Sequence, residues 1–186
     1  MLTTDSKELK AASIAVKTLS KKVPKAINSA FRHTGQRLQT AAIQEVRKEY
    51  VLKAGDVKKY GNMRLKYGTG EITLKSVGRN IPLIKFRTTP TRVVKRKPKV
   101  LKAAVKRGEK KPILGAFVQR MGNGNTGVYR RLGKTRLPIG QLYGPAVPVM
   151  LNSAEIRTKL QAEMDQRLEK RLEHELNRIN REVGFR

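Results

Sequence analysis

Three regimes of hydrophobic spacing divide the chain. Near the start, Leu9, Ala12, Val16, Leu19 and Val23 recur three and four residues apart, which is one stripe of an amphipathic helix. Pro24 lacks an amide hydrogen, so a kink or restart is expected there. Ile27, Phe31, Leu38, Ala42 and Val46 then carry a second helix to about Tyr50. Gly55 and Asp56 mark a break, with Asp56 placed to cap a short helical turn over 57–60.

From 63 to 132 the pattern changes to short apolar runs punctuated by Gly and Pro. Residues 63–67, 71–77, 81–86, 92–97, 100–106, 113–121 and 128–132 read as strands. Gly-Glu-Lys-Lys-Pro at 108–112 predicts a hairpin. Prolines at 82, 90, 98 and 112 belong on edge strands or strand ends. Gly133 follows the last run, so the sheet should end there. In the third regime Asn152 can cap a helix with Glu155 three positions on, close to a capping box. Ile156, Leu160, Met164, Leu168, Leu172, Leu176, Ile179 and Val183 form one narrow stripe beyond it. Such a stripe cannot enclose a core alone, and should lie against the N-terminal helices or a neighbouring subunit. The expected fold is α+β, with long N- and C-terminal helices packed on a small antiparallel sheet of hairpins. It reads as one domain, with helices over 1–56, a basic β-rich core over 57–151, and the amphipathic helix over 152–186.

Charge changes this picture from a fold to a surface. The chain has 186 residues and a formal net charge of +28. Residues 57–151 hold 23 Lys and Arg against Glu71 and Glu109 alone, whereas 152–186 hold 8 against 7. A solvated face normally mixes both signs, because self-repulsion destabilises a compact state. An excess of one sign this large points to an anionic partner, and nucleic acid fits best. There is no cysteine, which excludes disulfides and thiolate chemistry. No run approaches 18 apolar residues and the first residues are polar, so neither a membrane span nor a signal peptide is expected.

Gly122-Asn-Gly124-Asn-Thr-Gly127 matches G-x-G-x-x-G, the dinucleotide-binding fingerprint. That fingerprint needs a helix opening from it and an acidic residue about 20 positions later. Here a β-branched and aromatic run follows, and no Asp or Glu occurs between Glu109 and Glu155. The glycines read instead as a hairpin turn. Gly133-Lys134-Thr135 fails as a P-loop, because Val128 stands where another glycine is required. His33 and His174 lack a partner at helical spacing, and Glu169, Glu173 and Glu175 read as a solvated charged face. No residues carry catalysis, a metal or a cofactor. The basic residues are easier to assign. Arg92, Lys95, Arg96, Lys97 and Lys99 form one candidate phosphate surface, and Arg130, Arg131 and Lys134 a second. Few aromatics lie near them, with Phe117 and Tyr129 read as core, so backbone contact without sequence readout is expected.

The stretch Arg136-Leu-Pro-Ile-Gly-Gln-Leu-Tyr-Gly-Pro145 reads as an ordered loop fixed by its prolines and anchored by Leu137, Ile139, Leu142 and Tyr143. Together with AINSAF at 26–31, PLIKF at 82–86, GAFVQRM at 115–121 and GVYRR at 127–131, it resembles the minor tail protein Z family of long-tailed bacteriophages and prophages, over roughly 20–150. The resemblance implies a non-enzymatic virion component without cofactors, assembled in the host cytoplasm. It implies action late in tail completion, at the head-proximal end or neck, in head–tail joining. Its implied partners are neighbouring tail and neck proteins, further copies in a ring (a hexamer from the six-fold symmetry of such tails), and the double-stranded DNA genome end. Arg136, Leu137 and Tyr143 are then protein-contact residues; Leu160, Leu168, Leu172 and Leu176 read as contact residues from the narrow C-terminal stripe itself, where the resemblance extends only to a helix. The alternative is a stand-alone nucleic-acid-binding protein indifferent to sequence.

Overall fold

The computed structural model describes residues 6–68, 71–94, 100–122 and 124–183. The fold is α+β. Helix α1 spans Ser6–Glu49 and α2 spans Ala54–Gly61. Strands follow at β1 (Met63–Gly68), β2 (Glu71–Ser76), β3 (Ile81–Pro82) and β4 (Arg87–Thr89), with a 3-10 turn over Leu83–Lys85. Next come β5 (Leu101–Ala104), β6 (Lys111–Ile113), β7 (Ala116–Arg120) and β8 (Thr126–Arg131). The chain closes with β9 (Ile139–Gln141), β10 (Tyr143–Gly144), α3 (Val147–Leu151) and α4 (Ala154–Val183). The strands form four small sheets, β1-β2, β3-β10, β4-β5-β6 and β7-β8-β9. Contacts group the chain into two compact units, one of residues 1–39, 65–73 and 159–186, the other of 40–64 and 74–158.

In the first unit the helices pair antiparallel. Lys22 on α1 donates to Glu182 on α4 at 2.6 Å, and Ser29, seven residues on, donates to Glu175, seven residues back, at 3.0 Å. Beside these contacts the row Ala26, Ala30 and Thr34 is buried. Small side chains let two helices approach closely, so this row takes the inner position. The larger residues expected there are displaced: Val16 and Ile27 are exposed, while Leu19, Val23 and Phe31 are half-buried. Leu9 and Ala12, also expected in the stripe, have side chains outside the described residues. Pro24 does not break α1. Pro24 and Ser20 are both exposed, so the carbonyl that loses its partner faces water. The β1-β2 hairpin contributes Tyr67, whose ring lies against Gly35 so closely that a Cβ there would sit 2.7 Å from its hydroxyl.

The C-terminal stripe is buried at Leu160, Met164 and Ile179, but its inner position between them is Glu175, not Leu176. Glu175, expected on a solvated face, is fully buried. Arg171 reaches its Oε1 at 2.7 Å and Arg178 its Oε2 at 3.0 Å. Burial opposes ionisation, yet the Ser29 hydroxyl together with Arg178, Arg171 and His174 outweighs it and holds the carboxyl below its ordinary value.

The second unit takes its core from Val46, Val57, Ile81, Phe86, Leu101, Val128, Val147, Met150 and Ile156. Its two hairpins match the turn chemistry, with Gly108 (φ +81°) between β5 and β6 and Gly124 (φ +78°) between β7 and β8. Several expected strands are shorter than drawn. The run 81–86 pairs only at Ile81 and Pro82, because Pro82 removes a ladder donor and the chain coils. The run 113–121 divides at Gly115 (φ +71°) into β6 and β7. Arg92, Val93 and Val94 form no strand, and 95–97 lie outside the described residues. The sheet does not end at Gly133, since β9 pairs with β8 and β10 with β3. Asp56 lies within the first turn of α2 rather than capping it, and Asn152 closes α3 instead of opening α4. Pro112 pairs opposite Lys102 on β6, an edge strand.

Replacing Glu175 tests the helix pair. Glu175→Ala leaves Ser29 and Arg171 without their partner and Arg178 with Glu182 alone, at 3.8 Å, and should cost about 2 kcal/mol in urea unfolding; Glu175→Gln keeps an acceptor for Ser29 and should cost about 1 kcal/mol. Since the folded carboxyl titrates below its ordinary value of 4.5, its contribution is present at neutral pH and is lost as pH falls below about 4.5. Wild-type stability should therefore fall more steeply than that of Glu175→Gln on acidification over that range.

Candidate functional site

Strand alternation decides which cations the β-rich unit presents. In the sheet β4-β5-β6, Thr88, Ala103 and Leu101 point inward and are buried, so their neighbours Arg87, Thr89 and Lys102 are exposed on the other face. Arg92 follows β4 and is also exposed. Lys95, Arg96, Lys97 and Lys99, the centre of the first predicted phosphate surface, lie outside the described residues. The second predicted group is well placed: β8 ends in Arg130 and Arg131, and Lys134 and Arg136 follow in the connection to β9, all four exposed.

Carboxylates are too few to neutralise these groups. The second unit holds 26 Lys and Arg against 5 Asp and Glu. Of those five, Glu45 pairs with Lys48, Asp56 with Lys85 at 3.8 Å and Glu109 with Lys111 at 3.0 Å. The Lys111 ammonium, by hydrogen bond and by charge, holds the Glu109 carboxyl below its ordinary value. Among the described residues no carboxylate lies within ion-pair distance of Arg87, Arg92, Lys102, Arg130, Lys134 or Arg136.

The Gly122–Gly127 motif is strand, turn and strand. Met121 donates to the Asn125 carbonyl at 3.0 Å, Gly124 donates to the Met121 carbonyl at 2.8 Å, and the ladder continues into β8 without a helix. The turn does line a cavity of about 660 Å³, together with Tyr60, Lys85, Arg92, Tyr129 and Gln141. Its cationic and hydrogen-bonding lining suits an anionic group rather than an apolar one. Among the described residues no cluster of His, Cys, Asp or Glu could hold a metal ion, and no helix is long and apolar enough to cross a membrane. His33 and His174 are exposed on their helices.

The 136–145 stretch is held by its backbone rather than by the apolar anchors expected. Leu142 donates to the Val128 carbonyl at 2.8 Å and accepts from the Leu83 amide at 3.0 Å, joining β8 to the turn after β3. Ile139 and Leu142 are half-buried, but Leu137 and Tyr143 point outward and are exposed. The preceding bend is braced from within. The Arg131 guanidinium donates to the Arg136 carbonyl at 2.9 Å and lies 5.9 Å from the centre of the Phe117 ring. Thr135 Oγ1 donates to the Leu137 carbonyl, and Leu132 donates to the Pro138 carbonyl at 3.1 Å. Sequence spacing could not show this bracing, because it runs through carbonyls. Of the predicted contact residues on α4, Leu160 is buried within the chain, Leu168 and Leu172 are half-buried, and Leu176 is exposed.

Compared with known proteins, residues 7–184 match the model of the family described as prophage minor tail protein Z. No curated protein and no solved structure matches the chain.

The bracing makes a prediction about the bend. Arg131→Ala removes one charge-assisted hydrogen bond and one cation–π contact, and should cost about 1 kcal/mol. Hydrogen exchange at the Leu132 amide should accelerate, while exchange in the 116–130 hairpin stays protected. Unchanged exchange at Leu132 would show that the backbone alone holds the bend.

Proposed function

Because the chain belongs to the prophage minor tail protein Z family and so has a structural role in a phage tail, we propose that it completes the tail at the head-proximal end, where its basic surface holds the DNA end. In this reading it is a virion component, several copies form a ring (a hexamer in a six-fold tail), and neighbouring tail and neck proteins are its partners. Such a role asks for positioning and contact, with no catalytic step.

The observation that carries the DNA contact is the segregation of charge. The second unit has a formal charge of +21, and among the described residues Arg87, Arg92, Lys102, Arg130, Lys134 and Arg136 have no carboxylate within ion-pair distance. A duplex supplies one phosphate charge per ~1.7 Å of axis and releases condensed counterions when cations replace them. Lysines and arginines spread over sheet faces and loops meet that demand without reading bases. The exposed positions carry few aromatic rings, which fits backbone contact better than base stacking.

Unrelated duplexes should bind the purified chain alike, with log K falling against log salt at a slope of about −0.9 per phosphate contacted. Replacing Arg87, Arg92 and Lys102 by Gln should flatten the slope by about two to three units without unfolding the protein. If the slope is unchanged, that face is not the DNA contact, and Arg130 with Arg131 becomes the set to replace. Absence of binding even at low salt would overturn the DNA reading and leave an acidic protein neighbour as the partner of these cations.

A further inference from the structure

The helix pair of the first unit has two unlike sides. The contacts Lys22–Glu182 and Ser29–Glu175 fix its antiparallel register. With ~100° between successive residues, Lys22 and Ser29 share one flank of the seam with Arg171 and Arg178. The other flank carries Val23 and Ile27 from α1 and Leu172 and Leu176 from α4. Ile27 is 38% and Leu176 46% exposed. This apolar flank is edged along α4 by Asp165, Glu169 and Glu173, spaced four apart and all exposed. Among the described residues, Glu169 and Glu173 have no ion-pair partner. An acid-edged apolar flank is the exception on a chain of charge +28.

Its counterpart lies in the second unit of the same sequence. The braced bend 131–138 exposes Leu132 at 68% and Leu137 at 66%, with Lys134 and Arg136 beside them and, among the described residues, no carboxylate within ion-pair distance of either cation. That is an apolar knuckle edged by cations, already ordered by the Arg131 and Thr135 hydrogen bonds. We propose that the acid-edged flank of one copy receives the Leu132–Leu137 knuckle of a second copy. The leucines enter between Ile27 and Leu176, while Lys134 and Arg136 meet Glu169 and Glu173. Two different patches on one chain make a heterologous contact, which closes into a ring or continues as a filament according to the rotation between copies. The inference rests on the reading that copies of this chain assemble. It assigns Lys134 to carboxylates rather than to phosphate. At about 0.15 M salt the Debye length of about 8 Å damps the overall repulsion between copies, whereas charges in contact still interact.

Two substitution sets test it by light scattering and native mass spectrometry of the full chain, with thermal unfolding as the folding control. Glu169→Lys with Glu173→Lys reverses the flank; Lys134→Glu with Arg136→Glu reverses the knuckle. Each set alone should weaken self-association at least about tenfold. An equal mixture of the two variants should recover it, because each then offers the other an opposite edge. Assembly that ignores both reversals overturns this contact alone. Loss with the flank set but not the knuckle set also overturns it, and gives the flank to a different tail protein. A wild-type chain that stays monomeric at every concentration overturns the ring reading, and this contact with it.

Discussion

Coulomb repulsion is the constraint under which the rest of the structure is arranged. One compact unit carries 26 basic and 5 acidic side chains, and a low-dielectric interior could not hold such an excess. Strand alternation solves the problem locally. Strands β4, β5, β7 and β8 bury Thr, Leu, Ala or Val and turn their Lys and Arg outward, so these cations stand in water. The few carboxylates are taken up where the backbone already brings a cation close, as at Glu45, Asp56 and Glu109. What remains is an outward-facing positive surface that the few carboxylates of the unit do not neutralise.

The helix pair handles charge in the opposite way. Glu175, a fully buried carboxylate, is bracketed by arginines four residues before and three after, and is met across the seam by Ser29. Removing a carboxylate from water is costly unless it is paired, and here Ser29 hydrogen-bonds one oxygen while the two arginines supply opposite charge. The gain is register: Ser29 and Lys22 match Glu175 and Glu182 at one alignment of the two helices, whereas alanines alone would slide. Small residues at Ala26 and Ala30 allow the close approach that makes those polar contacts reachable.

How much of this was legible in the sequence depended on the length of each signal. The long helices and the two glycine hairpins were readable, because periodicity and turn chemistry act within a dozen residues. Strands β9 and β10 were not, since two or three residues carry no period and their pairing comes from distant partners. The face of α1 was read in part: Ala42 and Val46 are buried as expected, but in the helix pair hydrophobic spacing favours the largest side chains, while the seam selects Ala26 and Ala30. Glu175 did leave a trace, in arginines at both helical distances, but bracketing of that kind also occurs on exposed faces. The predicted charge groups were legible as composition. The outward turn of Leu137 and Tyr143 was not, because it follows from the ladder through Leu142.

One edge of the β4-β5-β6 sheet resists pairing with another molecule. Its outer strand, β6, is three residues long and has Pro112 at its centre. A strand arriving from another molecule at β6 would find a missing donor at the middle of that run. Sheet extension, the commonest route by which short β-proteins polymerise without limit, is therefore blocked at this border. At this border a neighbouring molecule is left to dock through side chains, whose shape and charge can fix an angle that a continuing sheet would not.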